Sequence, residues 1–248
     1  MPQCVLQAIP WGPIRRVPRR PPQLEAPNVG RATGDGFSLD LANMRTTAVD
    51  HLRQTDARLK PWVDQIGPIK LPPRRNRDPY PALLESIVYQ QLHATAALAI
   101  WTRVLALFAD RNPLPDRIMR ITDEQLRAAG LSRSKAVAMR SVAEAAMDGG
   151  IPDERRIARM PDSEIYEQLT RIRGIGPWTV DMLLIFTLRR PDVMPLNDYG
   201  IRKAFKLVYR KKSLPTTRQL LEISQRWRPY RTTAALYFWR IADTPNGA

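Results

Sequence analysis

The sequence LTRIRGIGPWTVDMLLIFTLRRPDVMPLNDYGIRKAF, residues 169–205, joins a turn between two glycines, an apolar helix, a loop containing Pro and Asp, and a carboxylate before the next helix. Gly174 and Gly176 flank a single apolar residue, Ile175, and amphipathic runs lie on either side. Because glycine has no Cβ atom, two helices can meet here in a tight turn. The stretch therefore predicts a helical hairpin.

The start of the second predicted helix carries unpaired backbone N–H groups. Those of Gly176, Trp178 and Thr179 lie at the positive end of the helix dipole and point outward. A helix start of this kind can bind a phosphate group without reading base sequence. The alternative interpretation is that the two glycines only cap a helix.

The composition independently indicates a polyanionic partner. The chain has 248 residues, with 39 Lys and Arg against 24 Asp and Glu, and a formal net charge of +15. No apolar run approaches the roughly 20 residues that a membrane-spanning helix needs. Nucleic acid is therefore favoured over a membrane surface as the partner.

Cysteine and histidine are too few for common metal sites or a disulfide framework. Cys4 is the single cysteine, and His51 and His93 are the only histidines. The opening residues lack the basic segment and apolar core of a secretory signal. We expect an intracellular protein, cytoplasmic and nucleoid-associated if bacterial, without a Cys-rich metal site.

Apolar residues recur at three- and four-residue spacing almost throughout, which predicts an all-α fold. No segment shows sustained strict alternation. The helical pattern covers residues 81–108, 126–147, 165–172, 178–188, 201–208, 220–227 and 234–241.

The first 43 residues differ from the rest, because they are rich in Pro and Arg and have no apolar periodicity. They predict a disordered tail. Two interpretations stay open: a basic arm that helps to hold DNA, or a segment absent from the native protein, whose start would then be Met44. Residues 44–248 form the predicted helical domain.

The hairpin stretch resembles the helix-hairpin-helix, Gly/Pro-rich loop and aspartate signature of the DNA glycosylase superfamily (HhH-GPD), and within it the 3-methyladenine DNA glycosylase II type. The matching residues are Leu169, Gly174, Ile175, Gly176, Trp178, Thr179, Pro195, Leu196 and Asp198. Three more blocks match in the family's order: residues 87–92, 130–136 and 227–231, with Trp239 and Arg240 behind them. The resemblance spans Pro79 to Arg240.

The resemblance implies two helical subdomains around a DNA-binding cleft, with residues 79–186 as the inner one and the helices on either side packing as the other. It implies a monomer that acts on double-stranded DNA containing alkylated bases. The implied activity is that of a monofunctional glycosylase in base excision repair. Such an enzyme flips the damaged purine out of the duplex and hydrolyses its N-glycosidic bond.

Asp198 matches the catalytic aspartate of the family, which stabilises the oxocarbenium character of the sugar and activates water. The local alternative is that Asp198 is an N-cap. If Asp198 is catalytic, Asn197 can take the capping role. Asp181 is the nearest rival carboxylate and matches no catalytic position of the family.

Trp178 stands where bifunctional relatives carry a lysine that forms a Schiff base, so the resemblance implies that the strand is not nicked. Trp178 and Trp239 match pocket aromatics that would stack on a cationic purine. Met182 stands where some relatives have another aromatic, so the lesion range can differ. The alternative for each tryptophan is packing in the core.

The resemblance also implies the DNA contacts. Gln91 and Leu92 would fill the gap left by the flipped nucleotide, and His93 would contact the minor groove. Phosphates would be bound by the hairpin at Gly174, Ile175, Gly176 and Thr179, with Arg133, Lys135, Arg202 and Lys203 as further candidates.

No cofactor is required by this chemistry, and the single cysteine excludes the iron-sulfur cluster of some relatives. The resemblance implies a monovalent cation at the hairpin, held by the main-chain carbonyls of Thr170, Ile172 and Ile175. His51 and His93 have no third ligand and predict no metal site.

Three alternatives remain. An oxidised-base or mismatch glycosylase would share the fold. A non-catalytic DNA-binding protein could use the hairpin alone. A transcription regulator would use residues 126–147 as a helix-turn-helix.

Overall fold

The computed structural model describes residues 41–74 and 77–244, with side chains from residue 47 onward. Every regular element in these ranges is helical, which confirms the all-α prediction. The predicted tail lies outside the described residues up to position 40. The first described helix begins at Leu41, and the division near residue 43 stays a prediction.

The described part of the chain forms thirteen α-helices. Their bounds are α1 Leu41–Thr55, α2 Lys60–Ile66, α3 Pro79–Tyr89, α4 Ala94–Leu105, α5 Pro115–Arg120, α6 Asp123–Ala128, α7 Arg133–Met147, α8 Glu154–Arg159, α9 Asp162–Leu169, α10 Pro177–Met182, α11 Tyr199–Val208, α12 Thr217–Ser224 and α13 Arg231–Ala242. A π-helical turn, Leu183–Thr187, continues α10, and a 3₁₀ turn, Gln225–Trp227, follows α12. None of the helices within these residues is both long and apolar enough to cross a bilayer.

Two helical runs of the sequence are each divided in two. Residues 81–108 form α3 and α4, separated by the turn Gln90–His93, in which Gln91 has a φ of 55°. Residues 126–147 divide at Gly130, whose φ of 103° ends the helical path before α7. Ser132 then caps α7 by accepting a hydrogen bond from the Lys135 N–H. Left-handed residues end these helices although the apolar spacing continues across them.

The helices pack in two groups that share one continuous core. In the first group α3 packs against α4, α7 and α10, while α5 and α6 pack against α7 and α9 packs against α10. In the second group α13 packs against α1, α2 and α11. The chain segments before and after the first group thus come together in space. The exact division at residues 79 and 186 stays a prediction.

Candidate active site

The predicted hairpin lies between α9 and α10. Thr170 ends α9, Gly174 has a φ of 90°, and Gly176 is the N-cap of α10. Ile175 is buried between the glycines, and its N–H donates to the Ile172 carbonyl at 3.0 Å. The turn is therefore tight because an apolar side chain anchors it from inside.

The two glycines of the hairpin differ in the space available to a side chain. A Cβ atom at Gly174 would lie 2.2 Å from the Cβ of Ala138 on α7, so this glycine lets the hairpin pack against that helix. A Cβ at Gly176 would meet nothing within 4 Å, and its φ of −101° is open to any residue. The open backbone that a phosphate could approach is therefore at Gly176.

Thr179 does not fit the predicted role of a DNA contact. Its side chain is 1% exposed, and its N–H donates to the Gly176 carbonyl at 3.0 Å. Its Oγ1 accepts a hydrogen bond from Gln90 Nε2 at 3.0 Å. Thr179 is directed inward because α10 packs this side against α3, and it holds the hairpin rather than DNA.

Asp198 lies at the end of the Pro-containing loop and caps α11. Its Oδ1 accepts the N–H of Ile201 at 2.9 Å and the indole N–H of Trp239 at 3.0 Å, and its Oδ2 accepts the indole N–H of Trp178 at 2.8 Å. The predicted capping by Asn197 is wrong, because Asn197 is exposed and Asp198 fills that position itself. Asp198 is therefore the N-cap of α11 and also the residue predicted to act as the active-site carboxylate, so the two roles do not exclude each other.

The buried Asp56 shows what a purely structural carboxylate looks like in this fold. A carboxylate has about four acceptor positions. All four are filled in Asp56, by Arg58 N–H, Leu59 N–H, the Tyr209 hydroxyl and the Trp227 indole. Asp198 accepts three hydrogen bonds from the described residues, which leaves one position on Oδ2. Asp198 can therefore accept a group from a substrate.

The loop before Asp198 is fixed by the start of α13. Arg231 pairs with Asp192 at 2.7 Å, and both side chains are largely buried. The Thr232 hydroxyl donates to the Arg190 carbonyl and accepts the Val193 N–H. Since α13 also supplies Trp239, one helix positions both the loop and the carboxylate.

Trp239 lies inside the core of this structure, and its predicted stacking on a base stays a prediction. Trp239 is fully buried, and the ring of Phe186 lies against it at 5.8 Å with an interplanar angle of 26°. Met182 is also buried, at 6% exposure, and its predicted place in the base pocket stays a prediction. A buried indole needs an acceptor for its N–H, and Asp198 supplies it. Trp178 is half-buried, so its stacking stays a prediction.

Asp181, the rival carboxylate, lies close enough to Asp198 to interact with its charge. It is buried and accepts a hydrogen bond from the Tyr166 hydroxyl. Burial raises the pKa of Asp181 to about 7, although the Tyr166 hydrogen bond opposes this; repulsion from Asp198 adds a smaller increase. The burial of Asp181 could not be predicted from the sequence, because it comes from the packing of α9 against α10.

The free energy of unfolding of Asp181→Asn is expected to increase relative to that of the wild type as the pH rises from about 4 to about 7. In this window folded Asp181 keeps the proton that an unfolded aspartate loses near pH 3.8, so the free energy of unfolding of the wild type falls with rising pH. The amide stays neutral and can still accept the Tyr166 hydrogen bond. The relative gain is at most about 4 kcal/mol, since each pKa unit is worth about 1.4 kcal/mol.

Denaturant unfolding at pH 4.5 and pH 8 measures this difference. Asp148→Asn, at an exposed position on the C-terminal end of α7, is the control for loss of one carboxylate. An Asp181→Asn effect that is equal at both pH values would contradict the expectation.

The α3–α4 turn carries the residues predicted to fill the gap in the duplex. Gln91 is exposed in a left-handed conformation, Leu92 is half-buried, and His93 is the N-cap of α4 without a capping hydrogen bond from its side chain. Gln90 was not among the predicted site residues. Its Nε2 donates to the Gly174 carbonyl at 2.9 Å, so it ties this turn to the hairpin.

The four basic residues predicted to contact phosphates differ in their surroundings. Lys135 is not a phosphate contact, because its ammonium donates to the carbonyls of Val88 and Gln90. Arg202 donates to the Pro215 carbonyl, while Lys203 is half-buried and Arg133 is exposed. The exposed Arg173, directly before Gly174, is a phosphate candidate that sequence reasoning missed, although its place beside the hairpin could have indicated it.

The carbonyls predicted for a monovalent cation lie where α9 ends. The carbonyl of Ile172 accepts the Ile175 N–H, whereas those of Thr170 and Ile175 accept no hydrogen bond from the described residues. Oxygen ligands at the negative end of a helix fit a hard cation. Across residues 41–74 and 77–244, no group of three or more His, Cys, Asp or Glu side chains could hold another metal.

Comparison with known proteins places the chain in one family. A model described as HhH-GPD superfamily base excision DNA repair protein matches residues 84–229. DNA-3-methyladenine glycosylase 1 of Schizosaccharomyces pombe is 37% identical over 207 residues, which cover 82% of this chain and 90% of that protein.

Two solved structures are similar in sequence and in fold. The S. pombe 3-methyladenine DNA glycosylase in complex with abasic DNA has a TM-score of 0.77 at 37% identity, and the match covers 81% of this chain and 98% of that one. The DNA-3-methyladenine glycosidase of Bacillus halodurans has a TM-score of 0.67 at 34% identity, with 79% and 89% covered. By its hairpin, by the family match over more than half its length and by these relatives, the chain belongs to the HhH-GPD superfamily of base excision DNA repair proteins.

Proposed function

We propose that the protein is a DNA glycosylase that removes 3-methyladenine and related alkylated purines from double-stranded DNA by hydrolysis, as the first step of base excision repair. The similarity to the S. pombe glycosylase and to its complex with abasic DNA supports this substrate class. The finer assignment to the 3-methyladenine DNA glycosylase II type is part of the proposal. The protein acts as a monomer where the chromosome is, which in a bacterium is the cytoplasm.

The observation that carries the proposal is that the buried Asp198, beside the hairpin, keeps one acceptor position that no described residue fills. Trp178, which donates to Oδ2 of Asp198, lies two residues after Gly176 on the same helix start. A nucleotide whose phosphate is bound at Gly176 therefore has its sugar close to the carboxylate. An alkylated purine is already cationic and leaves readily, so the main requirement is a negative charge near C1′ as the sugar becomes oxocarbenium-like.

The carboxylate has a second use in this reaction. A water on the opposite side from the leaving base must lose a proton when it attacks C1′. The unfilled position on Oδ2 of Asp198 can accept that proton or orient the water. The Ile201 and Trp239 hydrogen bonds to Oδ1 keep the carboxylate fixed during the step, because both donors belong to rigid helices.

The base has to leave the stack before this chemistry can occur. Extrusion costs a few kcal/mol, and less for a damaged base. Gln91 and Leu92 of the α3–α4 turn enter the space that the nucleotide leaves, while the hairpin holds the backbone. His93 contacts the minor groove beside them.

The reaction leaves the DNA strand intact. Strand cleavage through a Schiff base needs an amine nucleophile near C1′. The position next to Asp198 is occupied by the indole of Trp178, and the amine of Lys135 is bonded to backbone carbonyls on α3. The product is therefore an abasic site.

A monovalent cation bound by the carbonyls of Thr170, Ile172 and Ile175 is also part of the proposal. The carbonyls of Thr170 and Ile175, which accept no hydrogen bond from any residue that the structure describes, support it. Such an ion would add positive charge near a phosphate at the hairpin. No other cofactor is required.

The test is base release from duplexes carrying one defined lesion, with 3-methyladenine, 7-methylguanine, ethenoadenine and hypoxanthine compared. Released bases are separated by chromatography, and strands are analysed before and after mild alkali. Release of alkylated bases with strand breaks only after alkali is expected. Undamaged duplex and a duplex with 8-oxoguanine are the controls.

Each outcome has a clear meaning. Release of 8-oxoguanine instead of alkylated bases would replace the proposal with an oxidised-base glycosylase. Binding to every duplex without release of any base would make the protein a DNA-binding factor that uses the hairpin alone. Cleavage before alkali treatment would contradict the monofunctional mechanism.

A further inference from the structure

The α3–α4 turn is held in place by an ammonium group from another helix. Lys135, on the first turn of α7, donates through Nζ to the carbonyls of Val88 and Gln90, each at 2.7 Å. These carbonyls lie at the C-terminal end of α3, where helical carbonyls lack partners and the helix dipole favours a positive charge. Lys135 thus fixes the point at which the chain leaves α3 for Gln91 and Leu92.

Gln90 extends the connection to the hairpin. Its carbonyl accepts from Lys135, while its side-chain amide donates to the Gly174 carbonyl at 2.9 Å and to Thr179 Oγ1 at 3.0 Å. One residue therefore joins the α3–α4 turn to the turn between α9 and α10. The two surfaces that would contact DNA are linked by hydrogen bonds through the interior.

The same helix also touches the hairpin directly. Ala138 lies three residues after Lys135, on the same face of α7, and is the residue against which Gly174 packs. Helix α7 therefore supports the α3–α4 turn with Lys135 and the hairpin with Ala138. The relative position of the two turns is set by one rigid element.

The surroundings of Lys135 agree with a positioning role and not with a phosphate contact. The side chain is half-buried, and no salt bridge to it occurs among the described residues. Burial lowers the pKa of its ammonium to about 8. The carbonyls of Val88 and Gln90 are its hydrogen-bond partners among the described residues. A lysine that served only to attract DNA would be more stable with its ammonium in water.

From these contacts we infer that Lys135 is a positioning residue for base extrusion: with Gln90 it keeps Gln91 and Leu92 at a fixed distance from the hairpin, so that they enter the duplex while the hairpin holds the backbone. The inference rests on the proposed function. It assigns Lys135 to the flipping step and not to bond cleavage. Loss of Lys135 should therefore matter most when the lesion is stacked in a paired duplex.

The test compares Lys135→Met with wild type on one lesion in two contexts, a fully paired duplex and an unpaired bulge. Methionine keeps the apolar stem but has no donor. In single-turnover experiments the variant should lose at least about tenfold in release from the paired duplex, since two charge-assisted hydrogen bonds are removed. Release from the bulge, where extrusion costs less, should change by less than about threefold.

Two further variants keep the result interpretable. Lys206→Met, at an exposed position of α11, removes the same charge away from the turn and should behave as wild type in both contexts. Lys135→Gln retains a neutral donor and should give an intermediate loss; it replaces Lys135→Met if that variant does not fold. An equal loss in both contexts, or no loss in either, would overturn the inference.

Fluorescence of 2-aminopurine placed next to the lesion separates this inference from the proposed function. Its increase during stopped-flow mixing reports unstacking whether or not a base is released. If wild type unstacks the duplex without releasing any base, the proposed function fails while Lys135 remains testable by the unstacking rate. An unchanged unstacking rate in Lys135→Met would count against the positioning role.

Discussion

Asp198→Asn is expected to lower the single-turnover rate of base release by roughly a hundredfold or more, because the transition state loses the negative charge beside C1′. DNA affinity should change little, since the phosphate-binding backbone at Gly176 and the residues Gln91 and Leu92 of the α3–α4 turn have no described hydrogen bond to this side chain. The measurement is release of 3-methyladenine under enzyme excess, together with binding to the same duplex. A variant that keeps more than about a tenth of the wild-type rate would contradict a catalytic role for Asp198.

Asp198→Asn is also expected to lower the stability of the fold, because an amide cannot accept all three hydrogen bonds of the carboxylate. If its oxygen accepts the N–H groups of Ile201 and Trp239, its amide nitrogen must face the indole N–H of Trp178, so two donors oppose each other. A loss of about 1–3 kcal/mol in the free energy of unfolding is expected. Adding Trp178→Phe to Asp198→Asn removes the opposing donor and should restore stability without restoring activity.

Asp56→Asn is the matched control for burial. Asp56 also accepts an indole N–H, but its four positions are filled by protein donors and it lies away from the hairpin. This variant should lose stability and keep its rate of base release per folded molecule. If both aspartate variants lost activity only in proportion to unfolded protein, Asp198 would be structural.

The second large effect is expected from the two hairpin glycines, which look equivalent in the sequence. Gly174→Ala should lower the free energy of unfolding by about 2–5 kcal/mol, because a left-handed Ala costs about 1–2 kcal/mol and a clash in packed structure about 1–3 kcal/mol. The clash is with Ala138 on α7, at 2.2 Å from the added Cβ. Thermal or denaturant unfolding of the DNA-free protein measures the loss.

Gly176→Ala should give the opposite pattern. Its added Cβ meets no atom within 4 Å and its φ is allowed for alanine, so stability should change by less than about 1 kcal/mol. The methyl group would keep a phosphate from the N–H groups of the helix start, and affinity for duplex DNA should fall by about tenfold or more. Equal effects of the two substitutions on folding, or no effect of Gly176→Ala on DNA binding, would contradict this division of roles.

The sequence was most informative where local chemistry determines the structure. The hairpin could be predicted because Gly-Ile-Gly between two amphipathic runs favours a tight turn, and Asp198 because it precedes a helix at a family position. The all-α class followed from apolar spacing that is repeated in every segment. In each case the deciding interactions are between residues close in the chain.

The sequence was least informative where the deciding contacts come from distant segments. The break between α3 and α4 carries no glycine, since Gln91 itself adopts the left-handed conformation, so apolar spacing alone suggested one long helix. The burial of Trp239 depends on Phe186, which is distant in sequence. The ammonium of Lys135 is directed to α3 by packing between helices, and composition alone counted it as a surface charge.

The one unfilled acceptor position on Asp198 also defines what a tight inhibitor should carry. A pyrrolidine ring in place of the deoxyribose is protonated at neutral pH and has a positive charge and two N–H groups, one of which can donate to Oδ2. A tetrahydrofuran ring has the same shape but presents neither, so it fills the site without using the carboxylate. Since the other three positions are already occupied by Ile201, Trp239 and Trp178, one donor on the ring is sufficient and a second would have no partner on this side chain.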